Sequence, residues 1–209
     1  MCFHISLTTK KKEIEERFNA SFDLDLSFTP NQHFNAFNHP KIPVITNDKP
    51  RCIQMFDWGL IPHWVKDWKF AKTLRVKTLN SRFETISEKP SFRGPIKDKH
   101  CLIIADGFYE WRHEKNNKIK HHIHLPNKTL FAFVGIWDKW INKETGKQIE
   151  SFSIITQEAK GVMSYLHNSK NRQPIIINEN KESDWLDTNN DFSKIINSIE
   201  EPDIKYNLA

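Results

Sequence analysis

The residue types best suited to covalent chemistry begin at position 2, where a cysteine follows the initiator methionine. Removal of Met1 is expected because Cys2 is small, and it would leave an α-amine and a thiol on one residue. The ordinary pKa values of these groups are about 8 and about 8.5, so a fraction of each is reactive near neutral pH. Such an aminothiol condenses with an aldehyde to an imine and then closes to a thiazolidine. Cys2 is therefore a candidate nucleophile, the alternative being a small residue that merely opens a strand.

Two further titratable residues are candidates for proton transfer. Glu110 stands between Tyr109 and Trp111 in a segment that is otherwise apolar, so burial is expected to raise its pKa and suit it to acid–base catalysis. The alternative is a glutamate at a strand end that faces solvent. His167 follows a predicted helix over residues 158–166, where it either caps the helix or exchanges protons near neutral pH.

Several residues have the chemistry of nucleic-acid contacts. Arg82 can hold a phosphate through two parallel hydrogen bonds, and Asn80 can orient a backbone group or a terminal amine. Trp58, Trp64 and Trp68 lie among basic residues, a combination used for stacking on single-stranded bases. The alternatives are a polar loop for residues 80–82 and core positions for the tryptophans.

The sequence does not favour a metal site or a disulfide framework. His121 and His122 point to opposite faces of a predicted strand, and no fourth ligand accompanies them and His124. The 3 cysteines are odd in number and show no CxxC spacing. We therefore expect no metal, no cofactor, and a reducing cytoplasm as the location.

The composition indicates a globular protein with enough length for one sizeable core. The 209 residues include 38% hydrophobic residues, 7 Trp and 15 Phe, and we expect a single domain over residues 1–209. No apolar run reaches the roughly 18 residues that cross a bilayer, and no signal peptide is recognisable. The net charge is +5, but residues 176–209 are acidic, so the preceding body is strongly basic. A basic body suits a polyanionic partner or an ordinary lysine-rich surface.

The hydrophobic periodicity predicts one α+β domain with a mostly antiparallel, strand-rich centre. Residues 20–50, rich in Pro and Asn, are predicted to be an irregular loop with short extended pieces. Strands are predicted at residues 3–8, 53–60, 101–105 continuing through a turn to 108–111, 119–125, 130–137, 151–156 and 174–177. Helices are predicted after Thr9 as a cap, at residues 158–166, around 185–186 and at 192–199.

Five blocks of sequence resemble the SRAP (SOS-response-associated peptidase) family, whose members shield abasic sites in DNA. The blocks occur in the family's order and cover residues 1 to about 187. They are Met1-Cys2, Trp58-Gly59-Leu60-Ile61-Pro62-His63-Trp64, Asn80-Ser81-Arg82-Phe83-Glu84-Thr85, Ala105-Asp106-Gly107-Phe108-Tyr109-Glu110-Trp111, and Leu166-His167-Asn168 with Arg172-Gln173-Pro174.

The resemblance implies curved, barrel-like sheets with peripheral helices, and covalent capture of the ring-opened aldehyde of an abasic site in single-stranded DNA. It implies Cys2 as the nucleophile after self-removal of Met1, with Asn80 positioning the amine, Glu110 as acid and base, and His167 assisting protonation of the sugar and lyase-like reversal. The implied DNA contacts are Arg82, Trp64, Trp111, Pro40 and, when protonated, His4. A monomer that acts in the cytoplasm, at the nucleoid when bound to damaged DNA, is expected.

The sequence also departs from the family's pattern in three places. Phe3-His4 follows Cys2 where the family commonly has Gly-Arg, and Val65 follows Trp64 where many members have a second Trp. Residues 188–209 form an acidic end in place of the family's last extended segment, so the last strand is expected to be missing or replaced. The competing functions are a cysteine peptidase acting in trans through Cys2 and His167, and a non-covalent single-strand binder.

Overall fold

The computed structural model describes residues 2–23 and 27–209, and most of the regular structure is strand. The strands are β1 (His4–Leu7), β2 (Ser21–Phe22), β3 (Asn31–Asn35), β4 (Lys41–Thr46), β5 (Lys49–Trp58), β6 (Asn80–Arg82), β7 (His100–Ala105), β8 (Gly107–Glu114), β9 (Asn117–His124), β10 (Phe131–Ile141), β11 (Gln148–Glu158), β12 (Arg172–Pro174), β13 (Ile176–Ile177) and β14 (Lys205–Leu208). The helices are α1 (Lys11–Phe18), α2 (Trp68–Arg75), α3 (Pro95–Asp98), α4 (Gly161–Leu166), α5 (Glu182–Leu186) and α6 (Phe192–Asn197). Within these ranges no helix is both long and apolar enough to cross a membrane.

The strands form two sheets. Sheet A has the order β14-β9-β8-β1-β3, and sheet B has the order β12-β11-β10-β7-β4-β5-β2, with β13 and β6 attached to β10 and β11. Sheet B curls back on itself, because β5 also pairs with β11 in parallel at Asp57–Ser151 and Trp58–Phe152. The predicted α+β fold with mostly antiparallel, barrel-like sheets is therefore confirmed.

Sheet B is buried on both faces because its central strands are apolar at nearly every position. Alternate residues of β7 and β10, such as Leu102 and Val134, pack with α1, α5 and α6 in one hydrophobic cluster. The residues between them, such as Ile103 and Phe133, face sheet A in a second cluster. Cys2 lies in this second cluster and is therefore part of the core between the two sheets.

The chain passes from sheet B to sheet A at Asp106. β7 pairs with β10 and β4, whereas β8 pairs with β1 and β9. The sequence predicted that residues 108–111 would continue the preceding strand, so this change of sheet is a correction. It matters for the site because it places Glu110 on the second sheet, in the layer that β1 also joins.

Two predicted helix boundaries are wrong for reasons of local hydrogen bonding. The helix predicted over residues 158–166 begins only at Gly161, because Glu158 still pairs with Arg172 in the strand ladder. Thr9 does not cap α1, since its amide and hydroxyl both bond to the Asp106 carboxylate. Lys10 occupies the N-cap position with no side-chain capping bond.

Two segments are more regular than the sequence indicated. Residues 20–50 contain β4, which pairs with both β5 and β7 and carries Pro43 within it; residues 24–26 of this predicted loop lie outside the described residues. For the acidic end, the sequence predicts that the family's last strand is missing or replaced. The structure has a strand there, β14, which pairs with β9 from Lys205–His124 to Leu208–His121 and completes the edge of sheet A through its backbone.

Replacing Gly135 by Ala is predicted to destabilise the protein by about 1–3 kcal/mol, because overpacking a close-packed core forces its neighbours to move. A Cβ at this position of β10 would stand 2.8 Å from the carbonyl oxygen of Ser153 and 2.2 Å from Ile103 Cδ1. Urea unfolding measures the effect. Gly94→Ala is the control, since a Cβ there meets nothing within 4 Å, and an equal loss in both variants would contradict the prediction.

Candidate active site

Cys2 is held in place from two sides. Its carbonyl oxygen accepts a hydrogen bond of 2.9 Å from Asn80 Nδ2, and the next carbonyl, of Phe3, accepts one of 2.8 Å from Ala36 N. The Cys2 side chain is fully buried. Burial raises the pKa of its thiol far above the ordinary value, and the charge of Glu110 adds to this effect. The thiol is therefore neutral at physiological pH.

The side-chain amide oxygen of Asn80 is available for a further hydrogen bond. Its Oδ1 is buried and accepts no hydrogen bond from the described residues. A buried amide oxygen without a partner is uncommon and costs stability, so it points to a ligand or a functional role. Because its other atom, Nδ2, binds the Cys2 carbonyl, Asn80 is oriented by the backbone of the candidate nucleophile.

Glu110 points inward from β8, toward the core between the sheets, and is 4% exposed. The alternation of the strand explains this, because Phe108 on the same face is also buried whereas Tyr109 and Trp111 lie on the opposite face. Burial raises the pKa of Glu110 to about 8. The expectation that this carboxyl group is desolvated with a raised pKa is therefore confirmed, and at pH 7 it is mostly protonated.

His167 lies at the end of α4, where the sequence predicted a cap or a proton-exchanging residue. It is the C-cap residue of α4, and its ring Nδ1 lies 2.6 Å from the carbonyl oxygen of Arg172, to which it donates. Nε2 then carries the lone pair and lies 3.7 Å from Glu110 Oε2. Burial lowers the pKa of His167 to about 4, so the proton between this pair resides on Glu110 at neutral pH.

The position of His167 depends on a two-bond ion pair between Arg172 and Glu84, which sequence reasoning missed. The Arg172 guanidinium donates to both carboxylate oxygens of Glu84, at 2.7 and 2.9 Å, and to the carbonyl oxygen of Thr156 at 2.7 Å. This joins β12 to the turn after β6 and fixes the carbonyl that orients the His167 ring. Both residues lie within the sequence blocks of the family resemblance, which was the available signal.

Asp106 is the second group that sequence reasoning missed. Its Oδ1 accepts a bond from Ser6 Oγ, and its Oδ2 accepts bonds from the amides and hydroxyls of Thr8 and Thr9. Gly107 makes room for this arrangement, because a Cβ there would lie 2.7 Å from Ser6 Oγ and 2.2 Å from His122 Nε2. We call this set of bonds the Asp106 clamp.

A cleft of about 560 Å³ opens beside these groups. Glu110 and His167 lie at it together with Phe3, His4 and Trp111, and Lys118 and Lys170 stand at its rim. The His4 and Trp111 rings contact each other edge to face, with centroids 4.7 Å apart. Burial, followed by the neighbouring His33 and Lys120, lowers the pKa of His4 to about 4, so His4 is neutral at pH 7.

The remaining predicted DNA contacts lie at different distances from this cleft. Arg82 is exposed and shares a face of β6 with Asn80. Pro40 is half-buried, and its carbonyl oxygen accepts from Trp58 N. Trp64 is exposed but lines a separate cavity with Arg93 and Lys97. The structure thus brings Cys2, Asn80, Glu110, His167, His4 and Trp111 together, with Arg82 beyond Asn80 and Trp64 elsewhere.

The other tryptophan and histidine candidates make contacts that are typical of structural residues. Trp58 is fully buried and donates its indole N–H to the carbonyl oxygen of Leu79 at 2.9 Å. Trp68 packs on Trp140. His121 is buried, whereas His122 lies on the other face beside Ser6, as the strand alternation predicted. In the described part of the chain, no three His, Cys, Asp or Glu residues are grouped as metal ligands.

Fold and site together define a class of protein: a strand-rich domain that buries a cysteine at position 2 beside a protonated carboxyl group and an imidazole. The chain belongs to the SOS response associated peptidase (SRAP) family, whose model matches residues 1–207.

Relatives of known name and structure agree with this membership. The chain is 35% identical over 205 residues to the abasic site processing protein YoqW of Bacillus subtilis, covering 97% of this chain and 87% of that protein. It is 32% identical over 157 residues to the abasic site processing protein HMCES of Gallus gallus, covering 66% of this chain and 46% of that longer protein. A crystal structure of a protein from Bacteroides thetaiotaomicron superposes with a TM-score of 0.92 at 36% identity, covering 99% of this chain and 91% of that one.

Asp106→Asn is predicted to lower stability by about 1–3 kcal/mol, because buried donors lose a charged acceptor. The loss is expected to be local, with faster hydrogen exchange at the amides of β1 than at those of β10. Hydrogen–deuterium exchange by mass spectrometry measures both.

The matched control is Asp138→Asn. Asp138 is another buried carboxylate, and it accepts from Lys99, His63 and Lys139 on the far side of sheet B. Asp138→Asn should speed hydrogen exchange in β10 and the neighbouring loop while leaving the amides of β1 protected. If both variants exposed the same segments, the clamp would have no specific role in holding β1.

Proposed function

We propose that this protein captures the aldehyde of abasic sites in single-stranded DNA through Cys2 after loss of Met1. The observation that carries this proposal is the burial of Cys2 beside a carboxyl group whose pKa is raised to about 8. The names of the relatives support abasic-site processing, and the residue roles below rest on the geometry of the site.

The order of steps follows from which groups are neutral. The thiol is protonated, so the α-amine of Cys2 adds first to the aldehyde carbon and gives a carbinolamine. Glu110 donates its proton to the carbinolamine hydroxyl, water leaves, and an iminium ion remains beside the Glu110 carboxylate. That carboxylate accepts the thiol proton while the Cys2 sulfur bonds to the same carbon. The product is a thiazolidine, one water is released, and Glu110 is protonated again.

Asn80 and His167 have supporting roles in this scheme. In this scheme Asn80 Oδ1, which accepts no bond from the described residues, accepts a bond from the Cys2 amine and directs its lone pair. His167 Nε2 faces Glu110 and relays the shared proton to the opened sugar, and the same relay run backward would reverse the link. Self-removal of Met1 would use the same thiol and carboxyl group.

The DNA contacts follow from the charges around the cleft. Lys118 and Lys170 at its rim are suited to phosphates, and Arg82 extends this cationic surface beyond Asn80. Trp111 offers a half-buried ring for stacking beside the abasic gap. His4 is neutral at pH 7, so it would contact DNA through its ring and not as the cation that residue 4 commonly supplies in the family. Pro40 would border the lesion, and Trp64 would contact DNA farther along.

Cys2→Ala is predicted to abolish the adduct completely, because the nucleophilic sulfur is removed and a plain imine remains reversible. The measurement is intact mass after mixing with an oligonucleotide that contains one abasic site. The unsubstituted protein should show the mass of the processed protein plus DNA minus one water. The control is Cys52→Ala, which removes a thiol that is outside the site and only partly buried. A heat-stable adduct in Cys2→Ala would refute the proposal.

Glu110→Gln is predicted to slow adduct formation by at least about 10²-fold at pH 7, the usual contribution of a general acid–base group. In the unsubstituted protein, the rate should rise as the amine loses its proton and fall above pH 8 as Glu110 ionises. The fall at high pH should be missing in Glu110→Gln.

Single-turnover rates across pH measure this profile, with Glu114→Gln as the control on the same strand. Glu114 is exposed and pairs with Arg112, so its variant should keep both the rate and the fall above pH 8. A fall at high pH that persists in Glu110→Gln would assign it to another group.

A further inference from the structure

One side of sheet A carries a continuous set of aromatic rings that the chemistry of Cys2 does not use. We call it the outer face, defined by Trp111, His4, His33, Tyr109, His122 and Lys120. It is the side away from sheet B, since the intervening residues such as Phe108 and Ile123 pack in the core. Register places these residues together, because Trp111 pairs with Lys120 and Tyr109 pairs with His122.

The rings contact one another in sequence from the cleft outward. The centroid distances are 4.7 Å for Trp111–His4, 4.9 Å for His4–His33, 5.2 Å for His33–Tyr109 and 4.7 Å for Tyr109–His122. His4 and His33 are also joined by a hydrogen bond of 2.9 Å between Nδ1 and Nε2. Trp111 and His4 line the cleft as well, so the outer face continues directly from the candidate active site.

The charge of the outer face is positive and comes from lysine. Lys120 Nζ lies 4.1 Å from the centre of the Tyr109 ring and 5.9 Å from that of Trp111. In the described strands of sheet A, the register places no Asp or Glu among the residues that point to this side. The nearest carboxylate, Asp106, is occupied by the hydroxyl and amide groups of the clamp.

At neutral pH the imidazoles of the outer face are uncharged, so they offer rings for stacking but no positive charge. Burial lowers the pKa values of His4, His33 and His122, and Lys120 lowers all three further. His122 also faces His124 and Lys128, which lower its pKa, and Asp106, which raises it. A surface of neutral rings with a lysine beside them and no carboxylate suits bases that stack and a phosphate that needs a cation.

We infer that the outer face of sheet A binds the single-stranded DNA that continues from the abasic nucleotide. Bases lie against the Trp111, His4 and His33 rings, and Lys120 Nζ binds a phosphate. This inference rests on the proposed function, because the cleft and the outer face share His4 and Trp111.

The test measures non-covalent binding and covalent capture separately. Fluorescence anisotropy with an intact single-stranded oligonucleotide, without an abasic site, gives affinity over a series of salt concentrations. Lys120→Gln should weaken binding and reduce the slope of log K against log salt by about 0.7, the value for one phosphate on a single strand. His33→Ala should weaken binding at least about fivefold by removing a stacking ring. His33→Phe should retain affinity, and neither His33 variant should change the salt slope.

Lys139→Gln is the matched control, since Lys139 is an exposed lysine on a strand of sheet B. It should leave affinity and slope unchanged. Unchanged binding in Lys120→Gln and His33→Ala, or equal effects on a duplex of the same length, would overturn the inference.

The covalent arm separates this inference from the proposed function. At saturating abasic oligonucleotide, Lys139→Gln should reach the same final adduct yield as the unsubstituted protein, because Cys2 and Glu110 are intact and Lys139 lies on a strand of sheet B. If the unsubstituted protein formed no adduct but the binding effects appeared, the capture chemistry would fail and the binding surface would stand. If adducts formed but Lys120→Gln bound normally, the binding surface would fail and the capture chemistry would stand.

Discussion

The Asp106 carboxylate connects the end of β1 to the point where the chain enters sheet A, and the geometry of the site depends on this connection. It accepts hydrogen bonds from Ser6, Thr8 and Thr9, while β1 pairs with β8 at Ile5–Phe108. A slip of one residue would turn every side chain of β1 to the other face. Cys2 would then leave the core between the sheets. The clamp at one end and Asn80 at the other therefore fix the candidate nucleophile relative to Glu110.

Burial sets the protonation of the site in a consistent way. It raises the pKa of Cys2 and Glu110 and lowers that of His167, so each group is neutral at pH 7. A neutral set avoids the large cost of placing unpaired charges between two sheets. The charges lie at the rim, on Lys118 and Lys170. Neutral groups inside the site and positive charges at its rim suit a reaction at a neutral carbonyl group that belongs to a polyanionic chain.

The sequence predicted those features that depend on local pattern. Alternation identified β1, the apolar surroundings of Glu110 indicated its burial, and apolar runs identified the central strands of sheet B. The clamp could not be derived in the same way, because Asp106 bonds to residues about a hundred positions earlier. The start of α4 was wrong because pairing of Glu158 with Arg172 overrides a helical pattern. β14 was missed because its pairing with β9 uses backbone groups, which a polar, acidic segment does not reveal.

The period of two in β8 and β9 places the proposed chemistry and the proposed DNA contacts on opposite faces of one sheet. Glu110 points to the core, whereas Tyr109 and Trp111 on either side of it point outward, and His121 and His122 divide in the same way on β9. Because the two faces share a backbone but not their packing, residues on the outer face can change without disturbing the inner set. On the outer face, Lys120 of β9 places a positive charge near the neutral His4 imidazole. The inner set of Cys2, Asn80, Glu110 and His167 is bound into the core and lacks that freedom.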